Sequence, residues 1–243
     1  MEGTIALLFS MLLVAMLYSS VGHGGASGYL AVMSIFEINM LYFRSAALIL
    51  NLFVAGIAFI NFNKGYRLRW KLILPFLLPS IPMAFLGAMI HLNSSTYRLI
   101  LGLLLFVAVL RLLYRQSQDY DVKPPPSILI SAVIGMALGF LSGMIGIGGG
   151  IILSPILIFM HWAGVKETGL YSSLFILCNS LAGLAGLGIN NLIVPPHFYI
   201  WILVVIVGGL IGSLTSVKVL PIRYFKLSLM LVLLFACVKL IIL

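Results

Sequence analysis

Two short glycine clusters hold the residues best suited to chemistry in this chain. The first reads Gly22-His23-Gly24-Gly25-Ala26-Ser27-Gly28, the second Gly146-Ile147-Gly148-Gly149-Gly150. Glycine carries no side chain, so a ligand can come close to the backbone N–H groups. Each cluster opens a short apolar run, and the first N–H groups of a helix lack internal partners. Such an end attracts anions through free donors and the helix dipole together. The chemistry that fits is capture of a small anion by main-chain donors, with Gly24, Gly25, Gly148, Gly149 and Gly150 as contact points. Close helix packing through small residues is the plainer use of one such patch. Two patches at matching positions favour a binding site.

Side chains nearby extend the candidate set. His23 stands where the second cluster has Ile147. It is suited to bonding an anion, carrying a proton, or packing as a neutral imidazole, and ionisable groups within a membrane are functional candidates. Asn51 and Asn179 fall in the middle of apolar runs. A buried amide needs partners, so each either binds substrate or ties a cluster in place. Ser27, with Ser19, Ser20, Ser142 and Ser173, offers hydroxyl donors; bonding back to the local helix is the simpler role for each. Arg44 suits an anion-attracting mouth, or more simply a snorkelling arginine. Glu37 and Glu167 suit proton coupling, or more simply solvated loop charges. His91, His161 and His197 lie near loop ends without ligand spacing, so no metal or cofactor is expected. A GxxxxGK[ST] phosphate loop is absent, so ATP hydrolysis by this chain is not expected to drive it.

The elements that position these residues follow from composition. Of 243 residues, 63% are hydrophobic and 8% charged, against about 25% charged in a soluble domain. That excludes a soluble enzyme, a disordered protein and a nucleic-acid-binding domain. The net charge of +9 reads as basic cytoplasmic loops rather than as a polyanion site. In lipid only helices or closed barrels satisfy the backbone. The runs are long rather than alternating segments of about ten residues, which excludes a barrel. The fold class is an all-α polytopic membrane protein, with the bilayer as its first partner. Cys178 and Cys237 lie inside apolar runs, where a disulfide framework is not expected. The run from Thr4 to Val21 follows Glu2 with no basic residue ahead of it, so it reads as mature protein rather than a secretory signal.

The apolar runs are Thr4–Val21, Tyr29–Phe36, Ser45–Phe62, Leu72–Ile90 and Leu99–Tyr114, then Ile128–Ile145, Ile151–Trp162, Ser172–Ile189, Tyr199–Val217 and Leu227–Leu243. Tyr29–Phe36 and Ile151–Trp162 are too short to cross a bilayer, which takes about 17–25 residues. A polar, proline-rich stretch separates the two sets. The division is a first transmembrane repeat over 1–114, a cytoplasmic linker over 115–127 and a second repeat over 128–243. The repeat aligns the glycine clusters, Asn51 with Asn179, and Gly87-Ala88 with Gly212-Ser213.

Charge selects the topology. If each long-plus-short pair is a hairpin that enters and leaves on one side, one face holds every Lys and Arg except Arg44, Arg98 and Lys239. If each pair is one broken helix, the basic residues divide almost evenly. The positive-inside rule prefers the hairpins. Each half then crosses an odd number of times, so the second repeat is inverted. Inverted repeats with interrupted helices place a substrate site near the midplane, at the breaks. The expectation is an eight-span transporter working by alternating access.

Gly146-Ile147-Gly148-Gly149-Gly150, followed by Pro155 and paired with a second glycine break near the N-terminus, resembles the sulfite exporter TauE/SafE family across essentially the whole chain. The resemblance implies a multi-pass permease of the prokaryotic inner membrane for small, mostly sulfur-containing anions such as sulfite, thiosulfate or organosulfonates. The first break departs from the family pattern at His23 and Ala26, and Ala31 stands where the second half has Pro155. A proton or sodium ion as coupling ion, and a homodimer, are compatible with the sequence. Two other classes compete. Gly25-Ala26-Ser27-Gly28 matches the GxSG of intramembrane serine proteases, in which Ser27 needs a histidine base within reach. A membrane scaffold without a substrate path would need no polar group at the breaks.

Overall fold

The computed structural model describes residues 2–113, 122–188 and 191–215, together with Leu234 and Val238. Most of the linker and of the run Leu227–Leu243 therefore lies outside the described residues. Those that are described form nine α-helices and no strand. They are α1 (Glu2–Ser19), α2 (Ala26–Ile35), α3 (Phe43–Gly65), α4 (Trp70–Met89), α5 (Ser94–Leu113), α6 (Ile128–Ile145), α7 (Gly150–Phe159), α8 (Val165–Leu187) and α9 (Phe198–Thr215). Among them α3, α4, α6, α8 and α9 are long and apolar enough to cross a membrane. The chain is a multi-pass membrane protein. At 1.5 Å per residue, α2 and α7 with ten residues each are about 15 Å long, half of a hydrocarbon core of about 30 Å.

Helix ends follow local chemistry. Helix α8 begins seven residues before the apolar run starting at Ser172, because Glu167 accepts from the Gly164 N–H at 3.3 Å and closes the first turn. Its polar first turns are helical though not apolar. Helix α4 keeps Pro75, Pro79 and Pro82 inside it, which neighbouring membrane helices tolerate. Glu37 and His161, one residue type from each half, both take left-handed backbone just after the short helices, with φ of 56° and 59°.

Packing exchanges helices between the halves. Helix α6 runs parallel to α4 at very close range. A methyl group on Gly135, Gly139 or Gly143 would strike the backbone at Phe76, Ser80 or Ala84 in turn. Helix α1 runs parallel to α9 in the same manner, with Gly208 on Leu12 and Gly212 on Met16. Helices α3 and α8 run antiparallel, since Phe62 covers Gly169 while Leu48 covers Gly183. Two large apolar clusters result, beside a small one of Ala58, Phe62 and Leu170. One gathers Met11, Tyr29, Leu50 and Val205 from α1, α2, α3 and α9. The other gathers Phe76, Leu138, Leu153 and Phe175 from α4, α6, α7 and α8. Helix α2 packs mainly on α1 and α3, and α7 mainly on α8.

Candidate functional site

The glycine breaks link α1 to α2 and α6 to α7. Gly25 and Gly149 are the N-caps of the short helices, with φ of 95° and 75°. Only glycine takes this left-handed region without penalty. Each break lies on the long helix of the opposite half: Gly22 packs on the Gly169 backbone in α8, and Gly146 on Arg44 in α3. The two then converge halfway along these helices. A methyl group on Gly24 or on Gly148 would meet the Asn51 amide and Ile176 in both cases.

Asn51 is the joint between them. Its Oδ1 accepts from the Ala26 N–H at 3.0 Å, at the start of α2. Its Nδ2 donates to the Ile147 carbonyl at 3.1 Å and to Ser180 Oγ at 3.4 Å. The side chain is fully buried. Of the two roles open to Asn51, tying the breaks is the one its contacts describe.

Asn179 does something else. Its Nδ2 donates to the Phe175 carbonyl at 2.8 Å, one turn back on its own helix. Its buried Oδ1 has no partner among the described residues. The alignment of Asn51 with Asn179 is corrected by the contacts. Gly22 on Gly169 matches Gly146 on Arg44, and Gly24 and Gly148 share Asn51 and Ile176. These relations register Arg44 with Gly169 and Asn51 with Ile176, three residues before Asn179. The second half therefore has an apolar side chain where the first has its clamp.

His23 crosses between halves. Its Nδ1 donates to the Val21 carbonyl at 2.9 Å, and its Nε2 bonds Ser154 Oγ of α7 at 2.9 Å. Ser154 also lies 3.1 Å from the Gly150 carbonyl and bonds Ser172 of α8. Ser172 is able to donate to Ser154, whose own proton has His23 Nε2 and the Gly150 carbonyl as acceptors. A neutral His23 accepts it, while a protonated His23 would donate instead and release it toward Gly150. Ser154 and Ser172 were not singled out in the sequence, because a serine within an apolar run is commonplace; the spacing of Ser154 four residues after Gly150 was the available signal.

Several N–H groups at the breaks remain. Those of Gly24, Gly25 and Ser27, and those of Gly148, Gly149 and Gly150, have no partner among the described residues. Neither short helix carries an acidic residue in its first turn, so the positive ends of both dipoles are not neutralised from within. The arrangement can hold an anion by main-chain donors.

The other candidates are placed as follows. Ser27 pairs with the Tyr18 phenol at 2.7 Å, so the hydroxyl of the GxSG match is bonded to a phenol rather than to a histidine ring. Ser20 and Ser173 bond carbonyls of their own helices, while Ser19 reaches Gly209 on α9 at 3.0 Å. Arg44 does not snorkel freely. Its guanidinium donates to the carbonyls of Ala88, Ile90 and Gly143, joining the ends of α4 and α6. Glu167 is paired with Arg69 at 3.1 Å. Arg69 also bonds the Tyr171 hydroxyl and the Trp162 carbonyl. Burial pulls the Arg69 guanidinium down from its ordinary pKa, and the Tyr171 hydroxyl and Glu167 carboxylate more than offset that, so it titrates higher.

A family model described as Sulfite exporter TauE/SafE matches residues 7–240. The chain is 30% identical over 240 residues to the Probable membrane transporter protein y4hK of Sinorhizobium fredii (strain NBRC 101917 / NGR234), an alignment covering 97% of each chain. No solved structure matches the chain. Glycine-broken helices, spans in two sets and a family match over nearly the full length agree, and the chain belongs to the sulfite exporter TauE/SafE family.

Proposed function

We propose that this TauE/SafE membrane transporter carries a small, sulfur-containing anion, held where the two glycine breaks meet beside Asn51. The observation that carries this reading is the pair of buried, acid-free helix N-termini, each keeping unpartnered N–H groups and both touching one amide. No Lys or Arg lies within either break, so the anion is held by partial charges alone. Partial charges allow release, which a carrier needs.

Alternating access suits the packing. The halves meet through antiparallel α3 and α8, and each lends its first helix to the fourth helix of the other. If α8 and α9 cross in opposite senses, α1 runs parallel to α3, which supports hairpins and an inverted second half. An interior-negative potential drives a monovalent anion outward by about 2.3 kcal/mol per 100 mV. Export therefore needs no coupling ion, whereas uptake would need a proton or sodium ion.

The test is a thermal-shift screen of the purified protein with sulfite, thiosulfate, sulfate, sulfoacetate, taurine and simple carboxylates. A ligand that binds only the folded state raises its stability by mass action. A selective shift with a sulfur oxyanion, lost in Gly149→Leu, supports the proposal. No shift with any anion removes it.

A further inference from the structure

Tyr29 lies at the first break and the mechanism above leaves it unused. Its side chain is completely buried. Its hydroxyl has no hydrogen-bond partner among the described residues. That is costly: a buried polar group left unsatisfied loses about 1–3 kcal/mol. The ring lies against the N-cap of its own helix, and a methyl group placed on Gly25 would sit 2.8 Å from Tyr29 Oη. An orphan hydroxyl therefore lies beside Gly25, whose N–H is unpartnered among the described residues, and next in the chain to the unpartnered N–H of Gly24.

The second half has no equivalent. Tyr29 follows Gly22 by seven residues, and the residue seven beyond Gly146 is Leu153, also fully buried. The backbone donors come from both breaks, but the phenol comes from one. The neighbouring phenol, Tyr18, is already bonded to Ser27 at 2.7 Å.

We propose that Tyr29 Oη donates a hydrogen bond to an oxygen of the transported anion, making it an oxyanion with an oxygen to spare beyond those held by main-chain N–H groups. The proposal rests on the anion site at the breaks. It also makes binding lopsided, with the ligand drawn toward α2 rather than centred between the halves.

The experiment compares the unaltered full-length protein with Tyr29→Phe, using calorimetric titration with sulfite, thiosulfate and sulfoacetate and thermal unfolding without ligand. Tyr29→Phe removes one oxygen and keeps the ring. A hydrogen bond to a charged ligand is worth enough that the Kd should rise roughly ten- to hundredfold. Unliganded stability should stay equal or increase, since the hydroxyl has nothing to lose. A purely structural hydroxyl would give the opposite pattern, with a lower melting temperature and an unchanged Kd, and that result would overturn the proposal. Unchanged affinity alone would overturn it too, while leaving the anion site standing. Failure of the unaltered protein to bind any of the three anions would remove the anion site and this contact together.

Discussion

Asn51 and Ile147 belong to different halves of the chain, and a 3.1 Å hydrogen bond from the Asn51 amide to the Ile147 carbonyl holds them together. The same side chain accepts from Ala26, so one residue sets the spacing of both glycine breaks. Asn51→Ala should leave a buried donor and a buried acceptor unpaired, at about 1–3 kcal/mol each. Thermal unfolding in detergent should show a clear loss of stability. Asn51→Asp keeps the acceptor for Ala26 but turns an oxygen toward the Ile147 carbonyl. It should abolish flux in proteoliposomes even where the protein still inserts.

The glycines should differ sharply in what they tolerate. Gly148 has φ of 77°, and a methyl group there would lie 2.8 Å from Asn51 Nδ2. Gly148→Ala should cost about 1–2 kcal/mol for the left-handed backbone alone, with further loss from displacing the clamp. Gly56, inside α3, has only one neighbour within reach of such a group, at 3.8 Å. Gly56→Ala should be neutral or slightly stabilising, because glycine is a poor residue for a helix interior. Melting temperatures of the two variants measure the contrast.

His23 and Ser154 share a proton across the halves, so their effects should not add. The double variant His23→Ala with Ser154→Ala should cost less than the sum of the single variants, by about 0.5–3 kcal/mol. Additive losses in unfolding free energy would show that the 2.9 Å contact carries no coupling.

Arg69 and Glu167 form an ion pair with side chains 39% and 31% exposed. A pair this open is worth about 0–1 kcal/mol. Glu167→Gln should therefore barely move stability, and less still at high salt. Because the pair bridges the loop before α4 to the first turn of α8, flux rates are the more sensitive readout. A stability loss of several kcal/mol would contradict this account.

Much of the architecture was legible because glycine and chain length are loud signals. Apolar runs as short as Tyr29–Phe36 and Ile151–Trp162 cannot cross a bilayer, so both stand out beside their breaks, and helices occupy Ala26–Ile35 and Gly150–Phe159. Register within the spans was not legible. Leucine, isoleucine and valine are nearly interchangeable along α3 and α8, so aligning the two asparagines cost nothing in sequence terms; yet it misplaced the second by three residues. Tyr29 was equally silent. Whether a phenol packs, pairs or stands alone depends on neighbours that the one-dimensional string does not contain. Arg44 failed for a related reason: its carbonyl partners at Ala88, Ile90 and Gly143 sit far away in the chain.

The exchanged pairs α1 with α9 and α4 with α6 bear on biogenesis. The stripe of Gly135, Gly139 and Gly143 lies against α4, which leaves the ribosome before it, whereas the face of α1 that receives Gly208 and Gly212 must wait for α9. Insertion of the first half thus yields an unfinished surface in the bilayer. Two fragments cut within the linker should reassemble when made in the same cell, and neither should survive quality control when made alone.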